Sequence, residues 1–133
     1  MAQAGQVVPT SVDNAKRLID SKIADSSMSA LTFVMATSDT NVDFANNNLA
    51  YSNATVLGIT LNAVAAGNPV EILLFGKLSD PFFSYPVNDI LFLTTGGSIS
   101  NIAPTAIGIH STTIGYSLGS GAIFLNIEKP IIL

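Results

Sequence analysis

From Ala30 onward, apolar residues come in short runs, each closed by a turn signal. Leu31-Thr32-Phe33-Val34-Met35 is rich in strand-forming side chains. Thr55–Asn62 alternates, which predicts Leu57, Ile59 and Leu61 on one face. Val70-Glu71-Ile72-Leu73-Leu74-Phe75 starts by alternating, with Glu71 the outward residue between Val70 and Ile72, and ends apolar on both faces. Ile90-Leu91-Phe92-Leu93 is apolar throughout, the pattern of a strand covered on both sides. Ile123–Glu128 alternates again and groups Ile123, Leu125 and Ile127. Between the runs lie Gly67-Asn68-Pro69, Ser79-Asp80-Pro81, Asn88-Asp89, Gly96-Gly97 and Gly119-Ser120-Gly121. Short strands with frequent turns predict a mainly β fold, a small antiparallel β-barrel or sandwich over residues 30–133.

A faint internal echo accompanies this pattern. Leu57-Gly58-Ile59-Thr60-Leu61, then Val70-x-Ile72, resembles Ile114-Gly115-Tyr116-Ser117-Leu118, then Ile123-x-Leu125-x-Ile127. Each is a strand with an early glycine, a turn and an alternating strand. A glycine inside a strand marks a bulge or a close backbone approach. Two copies are too few for a solenoid, so they read as two similar hairpins of one barrel.

The first 29 residues have a different periodicity. Ser11 suits an N-cap, Asp13 a first turn, and Val12, Ala15, Ile19 and Ile23 recur at 3–4 residue spacing. Asp13–Arg17 and Arg17–Asp20 add surface pairs. The expectation is a short α-helix over Val12–Asp25 in an N-terminal arm (residues 1–29), with those four apolar residues docking on a neighbour. Lys22 interrupts a strict heptad, so no long coiled coil is predicted.

Composition sharpens the picture through one number. Only 11% of the 133 residues are charged, with a formal net charge of −4 and 48% hydrophobic residues, against about 25% charged in an ordinary soluble domain. Disorder requires the opposite composition. Five Lys+Arg are too few for a basic nucleic-acid surface. With no cysteine, thiolate metal sites, disulfides and cysteine nucleophiles are excluded. The long charge-free stretch Ile90–Ile127 is broken by Gly96-Gly97, Pro104, Gly108, Gly115, Gly119 and Gly121 and by recurrent Ser, Thr and Asn, so it does not read as a membrane span. The N-terminus lacks the charged and apolar regions of a signal peptide. The expectation is a soluble protein made without export, on which the sequon Asn53-Ala54-Thr55 is a chance match.

Candidate chemistry is sparse. His110 is the only histidine, and Ser111 beside it lacks a nucleophile-elbow context; it reads as a structural or surface residue. Asp39-Thr40-Asn41-Val42-Asp43 places oxygen ligands at alternate positions, but Phe44 stands where a calcium loop turns on glycine and Ala50 where it needs the bidentate Glu. It reads as a solvated loop or the polar face of an edge strand. The glycine pairs lack the Gly-Lys-Ser/Thr ending of a phosphate loop and read as turns. Phe82, Phe83 and Tyr85, between Pro81 and Pro86, form a candidate interaction patch. No catalytic, cofactor or metal residue is assigned.

The β region resembles the small β-barrel domains of tailed-bacteriophage virion proteins, the head-decoration (capsid cement) proteins and related fibre or collar domains. The likeness is carried by Gly58-Ile59-Thr60-Leu61, Ala66-Gly67-Asn68-Pro69-Val70-x-Ile72, Gly76-x-Leu78, Asn88-Asp89-Ile90-Leu91-Phe92-Leu93, Gly96-Gly97-x-Ile99, Pro104, Ile114-Gly115-x-Ser117-Leu118 and Ile123–Ile127. It spans roughly Ala54–Pro130 and consists of glycines, prolines and alternating aliphatics. Asn88 replaces the more usual glycine, and the N-terminal segment lies outside the pattern. The resemblance implies a non-enzymatic virion protein, commonly trimeric, whose partners are its own copies and a major capsid protein or another virion protein, with no cofactor, nucleic acid or membrane. Low charge fits this independently, because subunit interfaces are depleted in Lys, Glu and Asp. The rival expectation is a tail or collar fibre domain that recognises a host-surface carbohydrate through Phe82, Phe83, Tyr85 and Asn46–Asn48, or another fibre subunit.

Overall fold

The segment predicted to be a helix shows most directly how pairing overrides local spacing. The structure, a computed structural model, describes residues 17–133. Val12, Ala15, Ser11 and Asp13 lie outside the described residues. Leu18–Ala24, by contrast, is a strand, β1, so the helix expected through Ile19 and Ile23 is not there. The 3–4 residue spacing of Ile19 and Ile23 competed with an antiparallel partner: β1 pairs with Pro69–Ser79 (β5) from Leu18↔Phe75 to Ile23↔Pro69. A helix of three turns gains little from propensity alone. A ladder inside a closed sheet satisfies the same backbone groups and joins Ala24 to a core.

The strands that follow are β2 (Phe33–Ala36), β3 (Asn41–Phe44), β4 (Val56–Thr60), β6 (Ile90–Leu93), β7 (Ile99–Ser100), β8 (His110–Ser111), β9 (Thr113–Gly119), β10 (Ala122–Leu125) and β11 (Ile131–Ile132). One helical turn, α1 (Tyr51–Ala54), precedes β4. The order β1-β3-β2-β4-β5 closes on itself through the β1–β5 pairing, giving a five-stranded barrel. Its β1–β3 pairing is parallel. Beyond Gly76, β5 leaves the barrel to pair with β10, and the order continues through β9 and β6 to β7 as an open sheet. The two echoing hairpins therefore belong to different bodies, β4–β5 to the barrel and β9–β10 to the open sheet. The short ribbon β8–β11 stands apart.

Period-two alternation on β2 and β5 builds two cores. Val34, Val70 and Ile72 join Ala24, Met28 and Val42 in one cluster, the barrel interior. Their chain neighbours Phe33 and Leu73 join Ile59, Leu91, Leu93, Ile114, Ile123 and Leu125 in a larger cluster between barrel and open sheet. Each such side chain contributes about 1.5–3 kcal/mol by burial. Glu71 is exposed between buried Val70 and Ile72, and Ile123 and Leu125 share the larger core with the flanking Ile127, as their alternation predicts.

Both echoing glycines mark bulges. Opposite Gly58 the register slips between Val34 and Met35, and a Cβ there would overlap the Leu73 carbonyl and lie 2.7 Å from Ile72 Cγ2. Opposite Gly115 it slips between Leu91 and Phe92, and a Cβ would overlap the Phe124 carbonyl. The slip at Gly58 corrects the predicted face: Leu57 packs toward the barrel interior and Ile59 toward the other core. Asn88 has φ +71°, a left-handed conformation that Asn tolerates better than most residues.

Candidate functional site

The strand predicted to be covered on both sides is covered on one. In β6, Leu91 and Leu93 are buried, but Ile90 is exposed and Phe92 half-buried. The reason is tertiary: the open sheet packs one face on the barrel, and among the described residues no further layer lies over the other. Register then lines up a row of apolar side chains that runs from the barrel's β1–β5 pair across this outer face. Leu18 pairs with Phe75, Phe124 with Tyr116, and Tyr116 with Ile90. Phe75 meets Phe124 edge-on with centroids 5.2 Å apart, and Tyr116 lies 5.6 Å from Phe124 in a tilted arrangement. Leu18 is 57% exposed, Ile90 51%, Phe75 40% and Tyr116 38%. The row leaves on the order of 400 Å² of apolar surface in water, the size of the largest patch on an ordinary monomer, which is often functional. Strands β6, β7, β9 and β10 contain no charged residue; Lys77, in register with Phe124, is a cation beside the row.

The Phe82-Phe83-Ser84-Tyr85 loop is the second feature. Asp80 anchors it: its Oδ1 accepts the Phe82 N–H at 2.9 Å and its carbonyl the Phe83 N–H at 3.0 Å. Ser117 Oγ donates to the Tyr85 carbonyl at 3.0 Å. Of the three residues predicted as a surface patch, Phe83 is a correction, because it is fully buried in the larger core. Tyr85 is half-buried, and Phe82 is 67% exposed, edge-on to Phe83 with centroids 5.5 Å apart. An aromatic loop on an incompletely closed sandwich fills the gap with one ring and leaves the next outside. On one side of the loop is a cleft of about 300 Å³, lined among others by Ser29, Thr32, Gly97 and Ser98. On the other is a wide, open concavity of about 680 Å³ around Pro81, Ser84 and Pro86.

No family model matches the chain, and no curated protein sequence matches it.

The remaining candidates are accounted for by local contacts. His110 is buried, its backbone N–H donates to the Asn47 carbonyl, and its ring meets Tyr51 edge-on at 6.0 Å. Among the described residues its Nδ1 has no hydrogen-bond partner. Asn46 Oδ1 accepts the Gly96 N–H at 2.7 Å and braces the turn between β6 and β7, while Asn47 Nδ2 donates to the Leu93 carbonyl at 3.1 Å and braces the end of β6. In the Asp39–Asp43 segment, β3 is paired on both sides and is not an edge strand. The Asp39 carbonyl accepts the Lys22 ammonium, and Asn41 Nδ2 and Thr37 Oγ1 donate to the two carboxylate oxygens of Asp25 at 2.8 and 2.6 Å. The Thr37 hydroxyl first, and then Asn41, hold the Asp25 carboxyl below its ordinary value of 3.8. Among the described residues no group of three His, Asp or Glu gathers to hold a metal, and no helix is long and apolar enough to cross a membrane.

Sequence reasoning missed the apolar row because its members lie on four strands and the preceding β1, spread from Leu18 to Phe124. The one local signal was the unbroken apolar run Ile90–Leu93, half of which is surface.

Proposed function

We propose that this protein is a non-enzymatic structural subunit of a tailed-bacteriophage particle, a head-decoration or cement protein that works as a homo-oligomer, most simply a trimer. The observation that carries this reading is the uncovered Leu18–Phe75–Phe124–Tyr116–Ile90 row on a sheet face with so little charge. Covering such a row removes apolar surface from water at about 25 cal/mol per Å². The row alone has half the area that a standard interface buries on each partner, about 800 Å². It is therefore the centre of a contact whose rim is the Ser, Thr and Asn around it. Identical copies meet this need most directly, since β6, β7, β9 and β10 bring no charge into a contact repeated around a closed ring of subunits. In this reading the protein is made in the host cytoplasm and resides on the virion.

Sedimentation velocity at micromolar concentration tests the assembly. The wild-type chain is expected to sediment as an oligomer, and the Tyr116→Ser/Phe124→Ser variant as a folded monomer with unchanged far-ultraviolet dichroism. A monomeric wild type removes the self-association. Imaging particles with and without the protein tests the virion role, through density that disappears from the head surface.

A further inference from the structure

The cleft beside Phe82 has a chemistry of its own, and the assembly reading makes no use of it. We infer that it is a binding site for a neutral saccharide. Three stretches distant in sequence form it, around Ser29–Phe33, Phe82–Tyr85 and Gly96–Ile99. Its volume of about 300 Å³ lies at the lower end of the range for small-molecule sites, about 300–1,000 Å³.

The lining selects the ligand class. No charged side chain lines the cleft, so a phosphate, carboxylate or ammonium entering it would lose water without gaining an opposite charge. What the cleft offers is an aromatic ring and hydroxyl groups. Phe82 keeps two-thirds of its surface in water, yet its place is set by the Asp80 carboxylate on its N–H and by edge-on contact with buried Phe83. A ring held in this way is a ready platform for the C–H face of a pyranose. In the same lining, Thr32 Oγ1 donates to the Ser29 carbonyl at 2.9 Å, which leaves the oxygen's lone pairs to accept from a sugar hydroxyl. Ser98, exposed at the cleft, adds a hydroxyl that can donate or accept.

The walls are preformed. Gly97 donates its N–H to the Ala45 carbonyl and accepts the Phe33 N–H, which ties the cleft to β2. A Cβ at Gly97 would lie 2.5 Å from Thr32 Cγ2, so only glycine lets this wall close on Thr32. Leu31, also in the lining, has φ +62°, a conformation uncommon for a bulky side chain and typical of sites where the surroundings hold the backbone.

The test is a titration of the ¹⁵N-labelled full chain with methyl glucoside, methyl galactoside, methyl mannoside and N-acetylglucosamine at millimolar concentrations. At least one of these probes is expected to shift the amides of Thr32, Phe82 and Ser98 together. Phe82→Ala, at an exposed position, is expected to weaken that probe about tenfold while the amide spectrum elsewhere and the oligomeric state stay unchanged. The inference is overturned if none of the probes moves these amides, if Phe82→Ala leaves the affinity unchanged, or if a proline-rich peptide moves them and the sugars do not. Because the readout is independent of sedimentation, its failure leaves the assembly reading standing, and the reverse holds as well.

Discussion

The barrel and the open sheet share one strand and solve the problem of surface in opposite ways. The barrel closes through β1 and β5, hides a small aliphatic core inside itself, and carries Asp20, Lys22, Asp43 and Glu71 on its strands. The open sheet buries one face against the barrel and presents the other, free of charge on four of its strands, to the outside. A closed ring can complete its core alone. A single sheet layer can complete only one of its two faces, and composition decides whether the other is solvated or covered. Here the outer face carries Phe, Tyr and Ile, so the difference between the two bodies is what points to assembly.

The contrast breaks most severely at the junction. Phe33 faces the shared core and Val34 the barrel interior, on adjacent positions of β2. Phe33→Ala is expected to cost about 3–5 kcal/mol and Val34→Ala about 2 kcal/mol, measured by urea unfolding. A larger loss at Val34 would mean that the barrel, not the junction, dominates stability. The next effect compares the two hairpins. Gly58→Ala and Gly115→Ala each force a methyl group into the facing carbonyl, and each is expected to cost about 1–3 kcal/mol in the same experiment. A neutral Gly115→Ala would show that the open sheet yields where the ring cannot.

The smallest expected effect concerns charge on the barrel alone. The folded pKa of Asp25 lies below its unfolded value, so its stabilisation is complete above the unfolded pKa and is lost as pH falls through the folded one. The wild-type thermal midpoint should therefore fall more steeply than that of Asp25→Asn between about pH 5 and pH 2. Because Asp25 is exposed, solvent screens these contacts and the difference should be small, and parallel curves would show that the Thr37 and Asn41 contacts carry no stability.

Much of the fold was legible because it is written in local, period-two signals. The Ile90–Leu93 strand, the exposed Glu71, the turn at Asn88 and the bulges at Gly58 and Gly115 were all readable from residue type and neighbours. Leu18–Ala24 was misread because Ile19 and Ile23 fit a helix and a strand alike, and a partner some 50 residues away decided between them. Phe83 was misread for a similar reason. Two adjacent phenylalanines in a proline-flanked loop look equivalent until one of them meets the gap between two sheets.

By itself, then, the sequence determined the β class, the turns, the glycine bulges and the scarcity of charge, since each depends on a few neighbouring residues and their backbone preferences. Only the tertiary structure decided that the strands form a ring with a sheet attached. Closure depends on pairing β1 with β5, and no local preference encodes a partner at that distance. The same closure left one sheet face without a covering layer among the described residues, aligned five apolar side chains from the barrel's edge across it, and placed Thr32, Phe82 and Ser98 around one cleft.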